Sequence, residues 1–296
     1  MKWESLEKYG LLGQNIKFSL SPKIYNFWFK KYKLKASYEI IEVEENQLHI
    51  SLFKELQLKG YKGLNITKPL KDKLFEEKIF NFPHNSRKSY LIEFSLQANL
   101  IKAVNTLILK ENIILGYNTD YLGLQDSYKT YKLILKNKDI LIIGASGAAR
   151  ALIYSLLPYN PNLFIYNRTP TKLEYTLEIF KNNFNENYAK DLHNVNAIKE
   201  VNDINLLKNI DIIFNATSVP LNNILDYGLT NQREKALILY SLNYFYPEEA
   251  KGLNTTTIYI NGLLMLLYQA SYNFEIWFGI KPKVNKEIID YLTTNV

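Results

Sequence analysis

The chain has 296 residues, 47% hydrophobic and 22% charged, a balance suited to two globular domains with their own cores and not to a disordered chain. It contains no cysteine, which excludes a disulfide framework, a thiolate nucleophile and any Cys-bearing zinc or iron–sulfur site. With 36 Lys+Arg against 29 Asp+Glu the formal charge is +7; such a surplus admits nucleic acid, an anionic membrane or a small anionic substrate without choosing among them.

The N-terminal run Met1-Lys2-Trp3-Glu4-Ser5 has no apolar core, and no apolar stretch approaches the roughly 18–20 residues that a bilayer span needs. The chain therefore reads as soluble and cytoplasmic. Tyr9–Gly13 reads as a strand entering a loop, and Pro22–Tyr32, after Ser21-Pro22, as a helix with aromatics at helical spacing. Ala36–Glu42 alternates like a strand; Tyr61–Ile66 is another, and Pro69–Glu77 suits a following helix. Residues 79–97 carry no clear pattern. Ala103–Leu109 and Ile113–Tyr117 flank Lys110-Glu111-Asn112, which reads as a hairpin turn. After Asp120 strands at Asp139–Gly144, Asn162–Tyr166, Ile210–Asn215 and Ala236–Leu242 alternate with helices at Ala148–Leu157 and Lys172–Phe184. That alternation predicts an α/β unit with a parallel, doubly wound sheet. Gly262–Ile280 reads as a long apolar helix returning to close against the first domain.

Gly144-Ala145-Ser146-Gly147-Ala148-Ala149 lies between a predicted strand and a predicted helix. There a Rossmann-type fold turns tightly and aims a helix N-terminus at a pyrophosphate. Ser146 stands where the middle glycine is usual, and tight turns of this kind also form for packing alone. At the end of the next strand an NAD-selective fold places an acid for the ribose 2′-hydroxyl. This chain has Asn167-Arg168-Thr169 with Lys172 beyond, which suits a 2′-phosphate and favours NADP.

Polar clusters recur in the first segment: Ser19 and Ser21; Asn65, Thr67 and Lys71; Asn105-Thr106; and Asn118-Thr119-Asp120. Singly each is ordinary turn or cap chemistry. Together, at the ends of apolar strands, they offer hydroxyls and amides for a polyhydroxylated molecule, and a cation and carboxylate able to transfer a proton.

These segments, in this order, resemble shikimate dehydrogenases across nearly the whole chain. The resemblance is carried by Phe18-Ser19-Leu20-Ser21-Pro22, Asn65-Ile66-Thr67-Lys68-Pro69-Leu70-Lys71, Ala103-Val104-Asn105-Thr106 and Gly116-Tyr117-Asn118-Thr119-Asp120. It continues through Gly144–Ala149, Asn167-Arg168-Thr169, Asn215-Ala216-Thr217-Ser218 and Gly262–Ala270. It implies NADP-dependent reduction of 3-dehydroshikimate to shikimate, on the path to chorismate and aromatic amino acids. It also implies a substrate-binding domain at 1–121 and 256–296 around an inserted NADP-binding Rossmann domain at 122–255. Ser19 and Ser21 would hold the substrate carboxylate. Asn65, Thr67, Asn105, Asp120 and Gln269 would bind ring hydroxyls. Lys71, as acid/base, and Asp120 would form the catalytic pair. Gly144, Ala145, Ser146, Gly147, Ala148, Asn167, Arg168, Thr169, Lys172 and Thr217 would line the cofactor, with Gly262 and Met265 near its nicotinamide. No metal, nucleic acid or membrane partner is implied, and the chain would act as a monomer or homodimer.

The sequence departs from the family pattern at several points. Tyr25-Asn26 stands where His-Asn is usual, Lys102 where a glycine is usual, and Val219-Pro220 follows Ser218 where a glycine is common. The stretch from Lys71 to Asn105 is longer than usual. In Ser241-Leu242-Asn243-Tyr244-Phe245-Tyr246-Pro247, which stands for an Asp-x-x-Tyr-x-Pro pattern with one extra residue, Tyr244 would meet the substrate carboxylate, with Tyr246 as the alternative. Two alternatives follow: a quinate/shikimate enzyme using NAD, disfavoured by both serines and by Arg168, or a weakened, non-enzymatic NADP-binding relative, disfavoured by Lys71 and Asp120. Nucleic-acid binding rests on net charge alone, since no helix carries a focused basic stripe.

Overall fold

The computed structural model describes residues 6–75, 91–183, 195–198, 201–233, 235–244 and 247–294. The chain divides into two compact units, Met1–Thr119 with Leu267–Val296, and Asp120–Leu266.

The first unit begins β1 (Glu7–Gly13), α1 (Ser21–Lys31), β2 (Ala36–Glu42), α2 (Ile50–Leu58) and β3 (Tyr61–Ile66). It continues β4 (Leu91–Phe94), α3 (Leu96–Ile101), β5 (Thr106–Lys110) and β6 (Ile113–Tyr117). The strands form one sheet in the order β2-β1-β3-β5-β6-β4. β1 runs parallel to β2 and β3, whereas β3–β5 and β5–β6 are antiparallel. The β5–β6 hairpin turns at Glu111-Asn112, where Asn112 takes a φ of 56°, a left-handed conformation that Asn tolerates better than most residues. Leu12, Phe53, Leu64, Leu107 and Ile114 meet in the core. Ile24, Tyr25, Trp28 and Phe29 form the buried stripe of α1, as the helical spacing of its aromatics predicts.

The helix expected at Pro69–Glu77 does not form over its described part. Leu70 N–H closes a turn onto Thr67 O (2.9 Å), and only Lys73–Phe75 makes a single 3-10 turn. The Lys71 carbonyl, which a helix would need for its own ladder, instead accepts Val104 N–H at 3.0 Å. The unpatterned 79–97 stretch lies partly outside the described residues. Its end supplies β4 and the start of α3, which Ser95 caps by accepting Ala98 N–H on its side chain.

The second unit contains α4 (Asp120–Thr130), β7 (Asp139–Ile143), α5 (Gly147–Leu156), β8 (Asn162–Tyr166) and α6 (Pro170–Asn183). Next come β9 (Val195–Ala197), α7 (Ile204–Leu207), β10 (Ile212–Asn215), α8 (Tyr227–Thr230), β11 (Leu237–Ser241) and β12 (Thr257–Ile260). Its sheet is β12-β11-β10-β7-β8-β9 with every pairing parallel. Counted from its own first strand, this is the 3-2-1-4-5-6 order of the doubly wound dinucleotide fold. Ile140–Ile143 and Ile212–Asn215 are buried throughout, which is why these strands read as unbroken apolar runs. The boundary expected after 255 falls later. Thr257–Ile260 pairs with Leu237–Tyr240 as the sixth strand, and the unit closes at Leu266. α9 (Leu263–Phe278) and α10 (Lys286–Thr293) complete the chain. Among the described residues no helix is long and apolar enough to cross a membrane.

Candidate active site

Sheet register in the first unit sets polar residues side by side. Asn65, next to the last residue of β3, stands opposite Thr106 of β5, and Thr106 in turn faces Tyr117 of β6. Asn65, Asn105 and Thr119 thus arrive at one end of these interior strands, and α9 brings Gln269 to them. All four are buried. Asn65 Nδ2 donates to Asn105 O and to Thr106 Oγ1, both at 3.2 Å, while its Oδ1 accepts Tyr38 Oη at 2.7 Å. Asn105 Nδ2 donates to Thr119 Oγ1 (2.9 Å) and Gln269 Oε1 (3.2 Å), and its Oδ1 accepts Thr119 N–H (2.9 Å). Of the residues named from sequence, Asn65, Asn105 and Gln269 therefore share one network.

Thr106 and Thr119, which the sequence places in polar clusters without an individual role, belong to it as well, and sequence reasoning missed three further members: Tyr25, Tyr38 and Asn273. The signal for Asn273 was its spacing, four residues and one helical turn after Gln269 on an apolar helix. Tyr25, at the position where the family has His, stacks on Tyr38 with ring centroids 4.2 Å apart. Burial pushes its phenol well above the ordinary tyrosine range, against the pull of hydrogen bonds from Asn273 and Asn65.

Ser19 and Ser21 are paired, with hydroxyls 3.2 Å apart and Ser21 N–H donating to Ser19 Oγ at the same distance. Thr67 is half-buried and packs on Gly13, where a Cβ would come within 2.5 Å of Thr67 Cγ2. Lys71 follows at the end of the same segment, half-buried. Partial desolvation and then the nearby Lys71 cation hold the Lys68 ammonium below the ordinary lysine range. Asp120 belongs to the second unit. It opens α4 and is buried there, where the helix N-terminus favours a carboxylate.

The second unit carries the phosphate-type turn. Gly144 follows β7 with φ of 123°, and a Cβ there would meet Ala216 O at 3.1 Å and Thr217 Cγ2 at 3.2 Å. The positive φ strongly favours glycine, and the tight contacts add to that preference. Ala145 is buried and its carbonyl accepts Thr176 Oγ1 at 3.0 Å. Ser146 is the N-cap residue of α5, and Gly147 and Ala148 open the helix, so backbone N–H groups of its first turn lie at the end of the central strand. At the end of β8, Arg168, Thr169 and Lys172 are exposed, and Asn167 Nδ2 donates to Thr169 O at 2.8 Å. A pyrophosphate fits the first feature by helix-dipole and N–H chemistry, and a 2′-phosphate fits the second by charge.

Thr217 sits in the loop after β10, its N–H and hydroxyl both bonded to Asn215 Oδ1 (3.0 and 2.8 Å). Asn215 in turn donates to Glu249, a fully buried residue that sequence reasoning also missed. One carboxylate oxygen of Glu249 accepts Asn215 Nδ2 (3.0 Å) and Leu221 N–H (2.6 Å), and the other accepts Tyr259 Oη (2.6 Å). Gly262 is buried, donates its N–H to Asn243 O at 2.9 Å, and a Cβ there would collide with the Leu242 backbone. Met265 is buried one turn into α9. Tyr244 is half-buried in the loop after β11, and Tyr246 lies outside the described residues.

A doubly wound unit with a glycine turn at its central strand, joined to an α/β unit with a buried amide cluster, defines a two-domain α/β dehydrogenase. The profile of the shikimate dehydrogenase substrate binding domain matches residues 11–78. The NADP(+) shikimate dehydrogenase of Pelagibacter ubique is 32% identical over 95% of this chain and 97% of its own length. That of Methanococcus aeolicus is 34% identical over 96% and 97%. Among solved structures, a shikimate dehydrogenase in complex with NADP+ superposes with a TM-score of 0.76 at 26% identity, covering 98% of this chain and 96% of that one. The Thermus thermophilus enzyme in complex with shikimate gives 0.75 at 25% identity, covering 97% and 98%. The chain belongs to the shikimate dehydrogenase family.

Proposed function

We propose that the protein catalyses the reversible, NADP-dependent reduction of 3-dehydroshikimate to shikimate. The observation that carries this reading is the buried cluster of Asn65, Asn105, Thr106, Thr119 and Gln269, donor and acceptor groups converging at one end of the β3, β5 and β6 strands as a polyhydroxylated ring requires. Solved relatives are described with shikimate and with NADP+, in keeping with it.

In this reading residues 1–119 with 267–296 form the substrate-binding domain and residues 120–266 the NADP-binding domain. Ser19 and Ser21 take the substrate carboxylate, with Tyr244 as a further contact. Asn65, Thr67, Asn105 and Gln269 orient the ring hydroxyls. Bound NADP supplies or accepts the hydride at its nicotinamide. Lys71 stabilises the negative charge that grows on the carbonyl oxygen and then delivers its proton there. Asp120 favours the charged ammonium and orients it. Gly144–Ala148 receive the pyrophosphate; Asn167, Arg168, Thr169 and Lys172 receive the adenosine 2′-phosphate. Thr217, Gly262 and Met265 bound the nicotinamide side.

The test measures reduced-cofactor formation with shikimate or quinate, each with NADP and with NAD. Turnover is expected to be fastest with shikimate and NADP. No turnover in any pairing refutes the enzymatic reading, and faster turnover with quinate and NAD replaces it with the alternative.

A further inference from the structure

We propose that Asn273, which the reaction does not require as a contact, is a positioning residue for substrate: it fixes which end of the Gln269 amide the ring meets. The proposal rests on the shikimate dehydrogenase reading above.

An amide side chain offers two N–H donors and two acceptor lone pairs. Asn273, fully buried in α9, uses all four. Its Nδ2 donates to Gln269 Oε1 at 2.9 Å and to Tyr25 Oη at 3.2 Å, and its Oδ1 accepts the hydroxyls of Thr106 and Thr119.

The polarity of the array has an unambiguous anchor. Thr119 N–H is a backbone group and can only donate; it points at Asn105 Oδ1 at 2.9 Å. Asn105 must therefore present Nδ2 on its other side, where Gln269 Oε1 lies at 3.2 Å. Gln269 Oε1 then receives two N–H groups, from Asn105 and from Asn273. Turning the Gln269 amide over would set its own N–H2 against both donors. The nitrogen end is thereby committed to the opposite side, so the group that Gln269 meets on substrate must accept a hydrogen bond. Asn105 alone supplies one of the two donors that enforce this; Asn273 supplies the shorter one. Asn273 also reaches Tyr25, so the departure at that position is bonded into the same network.

The experiment compares wild type, Gln269→Ala, Asn273→Ala and the double variant, reading KM and kcat for shikimate and KM for NADP. Asn273→Ala is expected to raise KM for shikimate about tenfold, the weight of one hydrogen bond. KM for NADP should stay within about twofold. The double variant should be no worse than Gln269→Ala alone, because Asn273 acts only through Gln269. Multiplicative losses in the double variant, or an unchanged KM for shikimate in Asn273→Ala, overturn the proposal while leaving the activity intact. If Asn273→Ala does not fold, Asn273→Asp carries the same comparison. It keeps the shape but sets an oxygen against Gln269 Oε1, and it should raise KM for shikimate at least as far. Absence of shikimate turnover by the wild type overturns the enzymatic reading and this role with it.

Discussion

Glu249 is a sharp place to perturb the cofactor unit, because three donors converge on one buried carboxylate. Glu249→Ala removes the acceptor from Asn215 Nδ2, Leu221 N–H and Tyr259 Oη together. A buried donor left unpaired costs about 1–3 kcal/mol. Tyr259 can rotate its hydroxyl toward another acceptor, so roughly two full penalties remain, a loss of about 4 kcal/mol. Glu249→Gln should cost less, about 1–2 kcal/mol. Its carbonyl oxygen can keep the two N–H groups while its N–H2 turns to the tyrosine oxygen. Urea unfolding of the three proteins, followed by circular dichroism, gives the ranking directly. The same variants should raise KM for NADP before KM for shikimate, since Asn215 holds both the N–H and the hydroxyl of Thr217. An Ala variant within about 0.5 kcal/mol of wild type, the range of an uninvolved surface position, refutes the reasoning. So does a Gln variant less stable than Ala.

Lys71→Ala and Asp120→Asn should each lower kcat by at least about 100-fold with the fold retained, the lower bound of general acid–base assistance; near-normal turnover in both purified variants refutes their roles. Arg168→Glu should raise KM for NADP by about tenfold or more while leaving that for NAD nearly unchanged, because only the former carries a 2′-phosphate for the guanidinium to meet; equal effects on both would count against it. Burial pushes the Asp211 carboxyl up, but Lys235, the Asp139 N–H and Lys138 outweigh it and hold it below its ordinary 3.8. A depressed folded-state value contributes stability above about pH 4, lost as pH falls through the lower folded value. The acid limb of melting temperature against pH should therefore be shallower in Asp211→Asn than in wild type, and parallel limbs would refute the assignment.

Much of this arrangement is legible in the sequence, for identifiable reasons. The buried strands β7, β10 and β11 announce themselves as apolar runs of about five residues between turn signals, and Gly144 marks where backbone must approach backbone. The hairpin at Glu111-Asn112 is legible from its turn residues. The region after Pro69 is not, because a tertiary bond from Val104 to the Lys71 carbonyl overrides a helix-compatible local sequence. β12 is short and half exposed, so its membership in the second sheet depends on a pairing partner and not on its own pattern. Asn65, Asn105 and Gln269 stand out as amides in apolar surroundings. Asn273 shares that signal by its spacing on the same helix, whereas Tyr25 and Glu249 do not, since only the fold shows that their partners are other buried polar groups.

The register of β3, β5 and β6 restricts where this chain can change length. Asn65 stands opposite Thr106, and Thr106 opposite Tyr117. One residue inserted within β5 would turn every side chain beyond it to the other face of the sheet and carry Asn105 or Thr106 out of the cluster. The same insertion at Glu111-Asn112 would lengthen a loop at the far end of the hairpin and leave the cluster in place. Insertions and deletions among functional descendants should therefore collect at that turn and be absent from the strands themselves.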